Sequence, residues 1–244
     1  MKYLGSKARL SKHLIKIIKP EKYDIYIEPF VGGANMLAAV DHPNRIGYDN
    51  NPYLIALLKQ LQTDWELPYI TREEYYKVKT QPQNYPMYYV GHLGFAASCC
   101  GVWLSGYAGI TQTKNGQRDY MQEAINNLNQ QRLKLPSSQV HFSCNPYWMI
   151  PRFTTNSSVV YCNPPYANTT GYLHEFDNKA FWDWAIKESK HRLVYVSEYD
   201  APEPFVEIWS KSDKKSMNAN STKNPKKKDS IEKLFIHKDW INSL

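Results

Sequence analysis

The sequence predicts an α/β fold: a doubly wound, mostly parallel sheet carrying an inserted, mainly helical module. Three observations predict it. Short apolar runs of strand length alternate with stretches of helical periodicity near the start, and the same alternation resumes in the last third. Between them, from about residue 63 to 138, the composition changes character.

In chain order, Asp24-Ile25-Tyr26-Ile27-Glu28 reads as the first strand and Arg45-Ile46-Gly47-Tyr48-Asp49 as the second. Ala34 to Val40 is rich in helix formers and predicts a helix between them, while Tyr53 to Leu61 sets Leu54, Leu57, Leu58 and Leu61 at helical spacing. From Thr63 to Ser138, polar helical segments flank a centre holding six of the 11 glycines, Gly91 to Gly116, together with Phe95, Trp103 and Tyr107. Aromatics among glycines could press against DNA, but more often form a small core of the insert's own. The expected division is therefore 1–62 with 139–244 as one domain and 63–138 as the insert. Ser158 to Cys162 resumes as a strand, Phe181, Trp184 and Ala185 mark the apolar face of a helix, and Arg192 to Val196 follows as a strand. Phe205 to Trp209 and Ile231 to His237 read as an antiparallel pair at the sheet edge, joined by a lysine-rich segment.

Composition narrows the class. With 244 residues the chain can bury one sizeable core plus a smaller module, and no apolar run approaches the roughly 20 residues that span a bilayer. Met1 to Lys7 turns polar at once and lacks the apolar core of a signal peptide, which predicts a cytoplasmic protein. Cys99, Cys100, Cys144 and Cys162 have no metal-ligand spacing and are expected to be reduced and mostly buried; the seven histidines are scattered, so no metal is expected. Net charge is +7, and Lys211, Lys214, Lys215, Lys223, Lys226, Lys227 and Lys228 against Asp213 put +6 of it between residues 211 and 228, leaving the rest nearly neutral. Concentrated positive charge predicts phosphate contact.

Glu28-Pro29-Phe30-Val31-Gly32-Gly33-Ala34-Asn35 falls where the first strand ends, the place where open α/β sheets bind ligands; a Gly pair there also serves a bare tight turn. Asp49 ends the second strand, suited to accept hydrogen bonds from ribose hydroxyls or to cap a helix, a task that Asn50, Asn51 and Pro52 can take instead. The most specific string is Asn163-Pro164-Pro165-Tyr166, directly after a strand. Two prolines make a rigid corner that presents the Asn163 side-chain oxygen and the Pro164 carbonyl as acceptors for one NH2 group, with the Tyr166 ring for stacking. An NH2 conjugated to a purine is a poor nucleophile, and two acceptors can draw it toward tetrahedral geometry so that its lone pair faces a methyl donor.

With these strings in place, the sequence resembles the adenine-specific DNA methyltransferases of the Dam type, whose fold is a Rossmann-like methyltransferase sheet. The resemblance rests on Tyr3-Leu4-Gly5-Ser6-Lys7, Glu28 to Gly33, Asp49, Asn163 to Tyr166, and Val196-Ser197-Glu198-Tyr199, in the family's order. It implies S-adenosylmethionine as cofactor, contacted by Tyr3 and Lys7, pocketed by Glu28, Pro29, Phe30, Gly32 and Asn163, and held at the ribose by Asp49. It implies catalysis by Asn163, Pro164, Pro165 and Tyr166 on an adenine flipped out of double-stranded DNA. Residues 63–138 would be the target-recognition domain and the Lys211 to Lys228 segment a phosphate-contacting arm, on a monomer or weak dimer. Asn163 stands where the Dam-like subgroup has Asp, with the acceptor oxygen retained. Ala34 replaces the last Gly of the family's FxGxG at little expected cost. Pro146 stands in place of an acidic residue, leaving Tyr147 as the candidate contact to the cofactor's adenine. Glutamine or RNA methylation would use the same corner, and a chain without catalysis could act by occupying DNA; the insert and the lysines favour a DNA substrate.

Overall fold

The computed structural model describes residues 1–151, 157–165, 176–213 and 230–243. In chain order the elements are α1 (Ser11–Ile18), β1 (Ile25–Glu28), β2 (Arg45–Asp49), α2 (Pro52–Gln60), α3 (Arg72–Thr80), α4 (Met87–Gly91), β3 (Ile110–Thr113), β4 (Gly116–Asp119), α5 (Tyr120–Arg132), β5 (Val140–Cys144), β6 (Ser158–Cys162), α6 (Asn178–Glu188), β7 (Leu193–Glu198), β8 (Phe205–Asp213) and β9 (Ser230–His237).

Seven strands form one sheet in the order β5-β2-β1-β6-β7-β9-β8. The first five are parallel, and β9 and β8 run antiparallel at the edge, as the sequence predicts. The fold is thus a Rossmann-like, mostly parallel α/β sheet. From β1 the chain winds outward through β2 and β5, then returns to β6 on β1's other side, so the winding reverses between β1 and β6. The carboxyl ends of those two strands, Glu28 and Cys162, border the crevice where such sheets place ligands.

The central strands β1, β6 and β7 are buried on both faces, which is why they read as continuous apolar runs. Alternate residues enter opposite layers: Tyr26, Val159, Tyr161, Leu193 and Tyr195 face one cluster, with Leu14, Leu54, Leu57 and Leu58 from the helices. Ile27, Val160, Val194 and Val196 face the other, under Phe181 and Ala185 of α6. Each leucine fully buried this way contributes about 1.5–3 kcal/mol. A third cluster joins Ile70, Tyr75, Val78, Val90, Leu93, Ala97, Met121 and Ile125 within the stretch the sequence reads as an insert. That stretch also enters the main core through Phe95, Ala96 and Leu128, and Gly91 lets α4 approach α2 so closely that a Cβ there would lie 2.3 Å from the Tyr53 carbonyl oxygen.

Several expectations are corrected. Ala34 to Val40 is a series of turns, not a helix. Its carbonyls are diverted: Arg45 Nη1 donates to the Leu37 and Val40 oxygens at 3.0 and 2.9 Å, and Gln131 Nε2 to the Gly33 oxygen at 2.7 Å. Ala34 sits at φ +53°, a left-handed conformation costing an L-residue about 1–2 kcal/mol, so its replacement of glycine is not free. Only Cys162 is buried; Cys99 and Cys100 lie in an exposed turn and Cys144 at the outward-facing end of β5. α1, β5 and the β3–β4 hairpin were not predicted. Leu10, Leu14 and Ile18 at intervals of four are the signal for α1, the buried Val140 and Phe142 alternating with His141 for β5, and Asn115-Gly116 for the hairpin.

Among the described residues no helix is long and apolar enough to cross a membrane, and no cluster of three His, Cys, Asp or Glu side chains could hold a metal ion.

Candidate active site

A cavity of about 550 Å³ opens at the β1–β6 crevice, within the range of roughly 300–1,000 Å³ typical of small-molecule sites. It brings together ten of the residues singled out from sequence: Tyr3, Lys7, Glu28, Pro29, Phe30, Gly32, Asp49, Tyr147, Asn163 and Pro165. Pro164 is buried beside Pro165, and Tyr166 lies outside the described residues.

The loop after β1 makes one wall. Gly32 has φ +46°, and the Tyr3 ring covers Gly32 and Gly33 so tightly that a Cβ on either would come within 2.7 Å of Tyr3. Asn35 Nδ2 straps the N-terminal loop to this turn by donating to Ser6 Oγ at 2.8 Å and to the Met1 carbonyl at 2.9 Å. Lys7 is buried and ion-paired to Glu232 of β9 at 2.8 Å, so its charge is balanced inside the protein while its side chain lines the cavity.

Asp49 does not cap α2. Asn51 does that, accepting from the Tyr53 and Leu54 amides, with Pro52 in the first turn. Asp49 is left to accept from the Gly32 amide (3.1 Å) and the Asn51 amide (3.0 Å), tying the ends of β1 and β2 together. Burial raises its carboxyl to about 6, against the lowering effect of those backbone bonds. Glu28 is deeper, 2% exposed, and burial pushes it up to about 8 although Tyr26 Oη donates to its Oε1 at 3.0 Å. Near neutral pH the cavity floor therefore holds a largely neutral acid.

At the end of β6, Asn163 Nδ2 donates to the Gly5 carbonyl at 3.2 Å, which turns Oδ1 the other way. That oxygen is buried and has no hydrogen-bond partner among the described residues. A buried acceptor without a donor costs about 1–3 kcal/mol, so its retention points to a ligand that supplies one.

Aromatic rings make the remaining walls. Phe30 packs against Tyr147, Phe176 and Phe181 at centroid distances of 5.3, 5.6 and 5.5 Å. Trp148, Phe176 and Trp184 also line the cavity and were not singled out for it from sequence; Phe95 and Trp103, expected first as insert core, face the cavity as well. Tyr147 is 7% exposed whereas Trp148, beside it, is 61% exposed at the rim. Nothing in spacing distinguishes a ring that faces a cavity from one that fills a core, and helical periodicity assigns Trp184 to packing first.

Of the lysines singled out, Lys211 lies exposed on β8 with Nζ 2.9 Å from His13 Nε2. Lys214, Lys215, Lys223, Lys226, Lys227 and Lys228 lie outside the described residues.

The retron Ec67 DNA adenine methylase of Escherichia coli is 25% identical over 232 residues, covering 87% of this chain and 76% of that protein. Among solved structures, HI0767 of Haemophilus influenzae, assigned as a methylase, aligns over 94% of this chain and 88% of its own with 12% identity and a TM-score of 0.37. SMU.472, assigned as a methyltransferase and solved with SAH, aligns over 95% of this chain and 52% of its own, also with 12% identity and a TM-score of 0.37. The family model of the D12 class N6 adenine-specific DNA methyltransferases matches residues 3–230, nearly the full length, and the chain belongs to that family.

Proposed function

We propose that this protein transfers a methyl group from S-adenosylmethionine to the N6 amino nitrogen of an adenine flipped out of duplex DNA at a specific site. The observation that carries the reading is the Asn163 Oδ1 acceptor, buried at the cavity and without a donor among the described residues. An adenine amino group has the two N–H donors such a corner lacks.

The cavity's chemistry fits the cofactor: a carboxylate at the end of β2 for ribose hydroxyls, glycine backbone at the turn after β1, and aromatic faces for a nucleobase. Tyr3, Lys7, Glu28, Pro29, Phe30, Gly32, Asp49 and Tyr147 would hold it, with Asn163 between cofactor and base. S-adenosylmethionine, when bound, supplies an electrophilic methyl group. Asn163 Oδ1 and the Pro164 carbonyl accept from the amino group and pull it out of conjugation with the ring; Pro165, having no N–H, offers no competing donor. Tyr166 is assigned to stacking on the base and lies outside the described residues.

Residues 63–138 are proposed as the target-recognition domain, supported by their separate apolar cluster, and the Lys211 to Lys228 segment as an arm on the phosphate backbone, supported by its charge. The test supplies labelled S-adenosylmethionine to the purified protein with duplex DNA, RNA and protein acceptors. Label in N6-methyladenine of duplex DNA, abolished by Asn163→Ala while cofactor binding persists, is the expected result. Label confined to RNA or protein would overturn the assignment.

A further inference from the structure

The lysine-rich segment near the C-terminus is not the chain's only concentration of positive charge. Residues 1–22 hold seven lysines and arginines (Lys2, Lys7, Arg9, Lys12, Lys16, Lys19, Lys22) against one acid, Glu21, a net +6 equal to that of residues 211–228. With +7 in total, the remainder of the chain is net acidic rather than neutral. Lys7 is spent on Glu232 inside the protein, but Arg9, Lys12 and Lys16 are exposed, and none of the three pairs with a carboxylate among the described residues.

The fold decides where these charges go. α1 turns Leu14 and Ile18 onto the sheet, where they pack with Leu193, Tyr195, Leu234 and Ile236, and leaves Lys12, His13 and Lys16 outward. No acidic residue occurs in α1, whereas α3 and α6 mix both signs on their surfaces, as solvated helices ordinarily do. His13 Nε2 lies 2.9 Å from Lys211 Nζ, so two basic stretches some 200 residues apart in sequence adjoin in space. At the other end, α1 follows directly on the Tyr3 to Lys7 loop that lines the cavity.

We propose that the exposed face of α1, with Arg9 before it and Lys211 beside it, is a second contact surface for the phosphate backbone of duplex DNA, leading from the cavity to the sheet edge. The inference rests on the DNA reading above. Eight helical residues span about 12 Å, enough to meet successive phosphates of one strand. Contact there would hold the duplex against the side of the cavity formed by the N-terminal loop, independently of base readout by the insert.

The test compares wild type, the triple variant Arg9→Gln/Lys12→Gln/Lys16→Gln, and a control variant Lys187→Gln/Lys190→Gln at the end of α6, on the opposite sheet face. Duplex affinity is measured against salt concentration, with thermal stability and S-adenosylmethionine affinity alongside. The triple variant is expected to bind duplex more weakly and to lose about 2–3 from the magnitude of the log–log salt slope, about 0.9 per phosphate contact, with stability and cofactor affinity unchanged. The control should keep the wild-type slope. An unchanged slope in the triple variant, or an equal loss in the control, would overturn the surface while leaving the DNA reading intact. Wild-type protein that shows no salt-dependent duplex binding would instead overturn the DNA reading on which it rests.

Discussion

Asn163→Asp places an oxygen where the Asn163 amide nitrogen now donates to the Gly5 carbonyl at 3.2 Å. As a carboxylate, the new side chain loses that hydrogen bond and sets two acceptors against each other at the cavity's edge. Losing a hydrogen bond of this solvent-accessible kind costs about 0.5–1.5 kcal/mol, which at tenfold per about 1.4 kcal/mol predicts methyl transfer slower by about 2- to 12-fold. The facing Gly5 carbonyl disfavours the anion, so this carboxyl should titrate above the ordinary aspartate value of about 3.9. Once protonated, it can donate to Gly5 through its hydroxyl and leave a carbonyl oxygen in the place of Oδ1, restoring the asparagine pattern. The rate relative to wild type should therefore rise as pH falls through that titration, while Asn163→Ala stays inactive throughout. Single-turnover transfer measured from about pH 5.5 to 8.5 at saturating cofactor is the assay. An Asn163→Asp variant equal to wild type across this range would show that the Gly5 carbonyl does not orient the amide.

Three further outcomes are expected. Asp49→Asn keeps one acceptor oxygen where two backbone amides, Gly32 and Asn51, now donate, and turns an NH2 toward one of them; S-adenosylmethionine affinity by calorimetry should fall about 10- to 100-fold. Glu28, raised to about 8, binds a proton in the folded state that the unfolded chain has released above about 4.5, so stability should decline as pH rises from about 4.5 to 8; Glu28→Gln should flatten that decline in denaturation curves. Gly32→Ala meets the Tyr3 ring at 2.7 Å with φ +46° and should destabilise by more than about 1–2 kcal/mol, whereas Ala34→Gly, at φ +53°, should stabilise by up to about 1 kcal/mol because relieved strain exceeds the added freedom of the unfolded chain.

Much of the sheet was legible because strands buried on both faces leave uninterrupted apolar runs, such as Ser158 to Cys162 and Leu193 to Val196, that nothing but a central strand needs. The edge pair β8 and β9 was legible from the apolar residues of Phe205 to Trp209 and Ile231 to His237, although Phe205 alone is buried among the described side chains of β8. The β3–β4 hairpin was not: Ile110 to Thr113 and Gly116 to Asp119 are largely exposed, so no buried alternation marks them and only Asn115-Gly116 hints at a turn. The turn series after Gly33 defeated helix propensity because its carbonyls are claimed by Arg45 and Gln131, the latter nearly a hundred residues away.

The same division runs through the site. Short-range chemistry is carried by adjacent residues, and so the sequence by itself determined the Asn163-Pro164-Pro165 corner, the Gly32-Gly33 turn and the acid ending β2. Freedom of Asp49 from capping was also readable, since Asn51 and Pro52 follow it. What only the tertiary structure decided are relations between distant segments: that Gly5 turns the Asn163 amide, that Lys7 is matched by Glu232, that Trp103 and Trp148 face the cavity, and that α1 lays its basic face beside Lys211. These depend on how helices and loops pack across the sheet, and packing is set by the whole core rather than by any local run of residues.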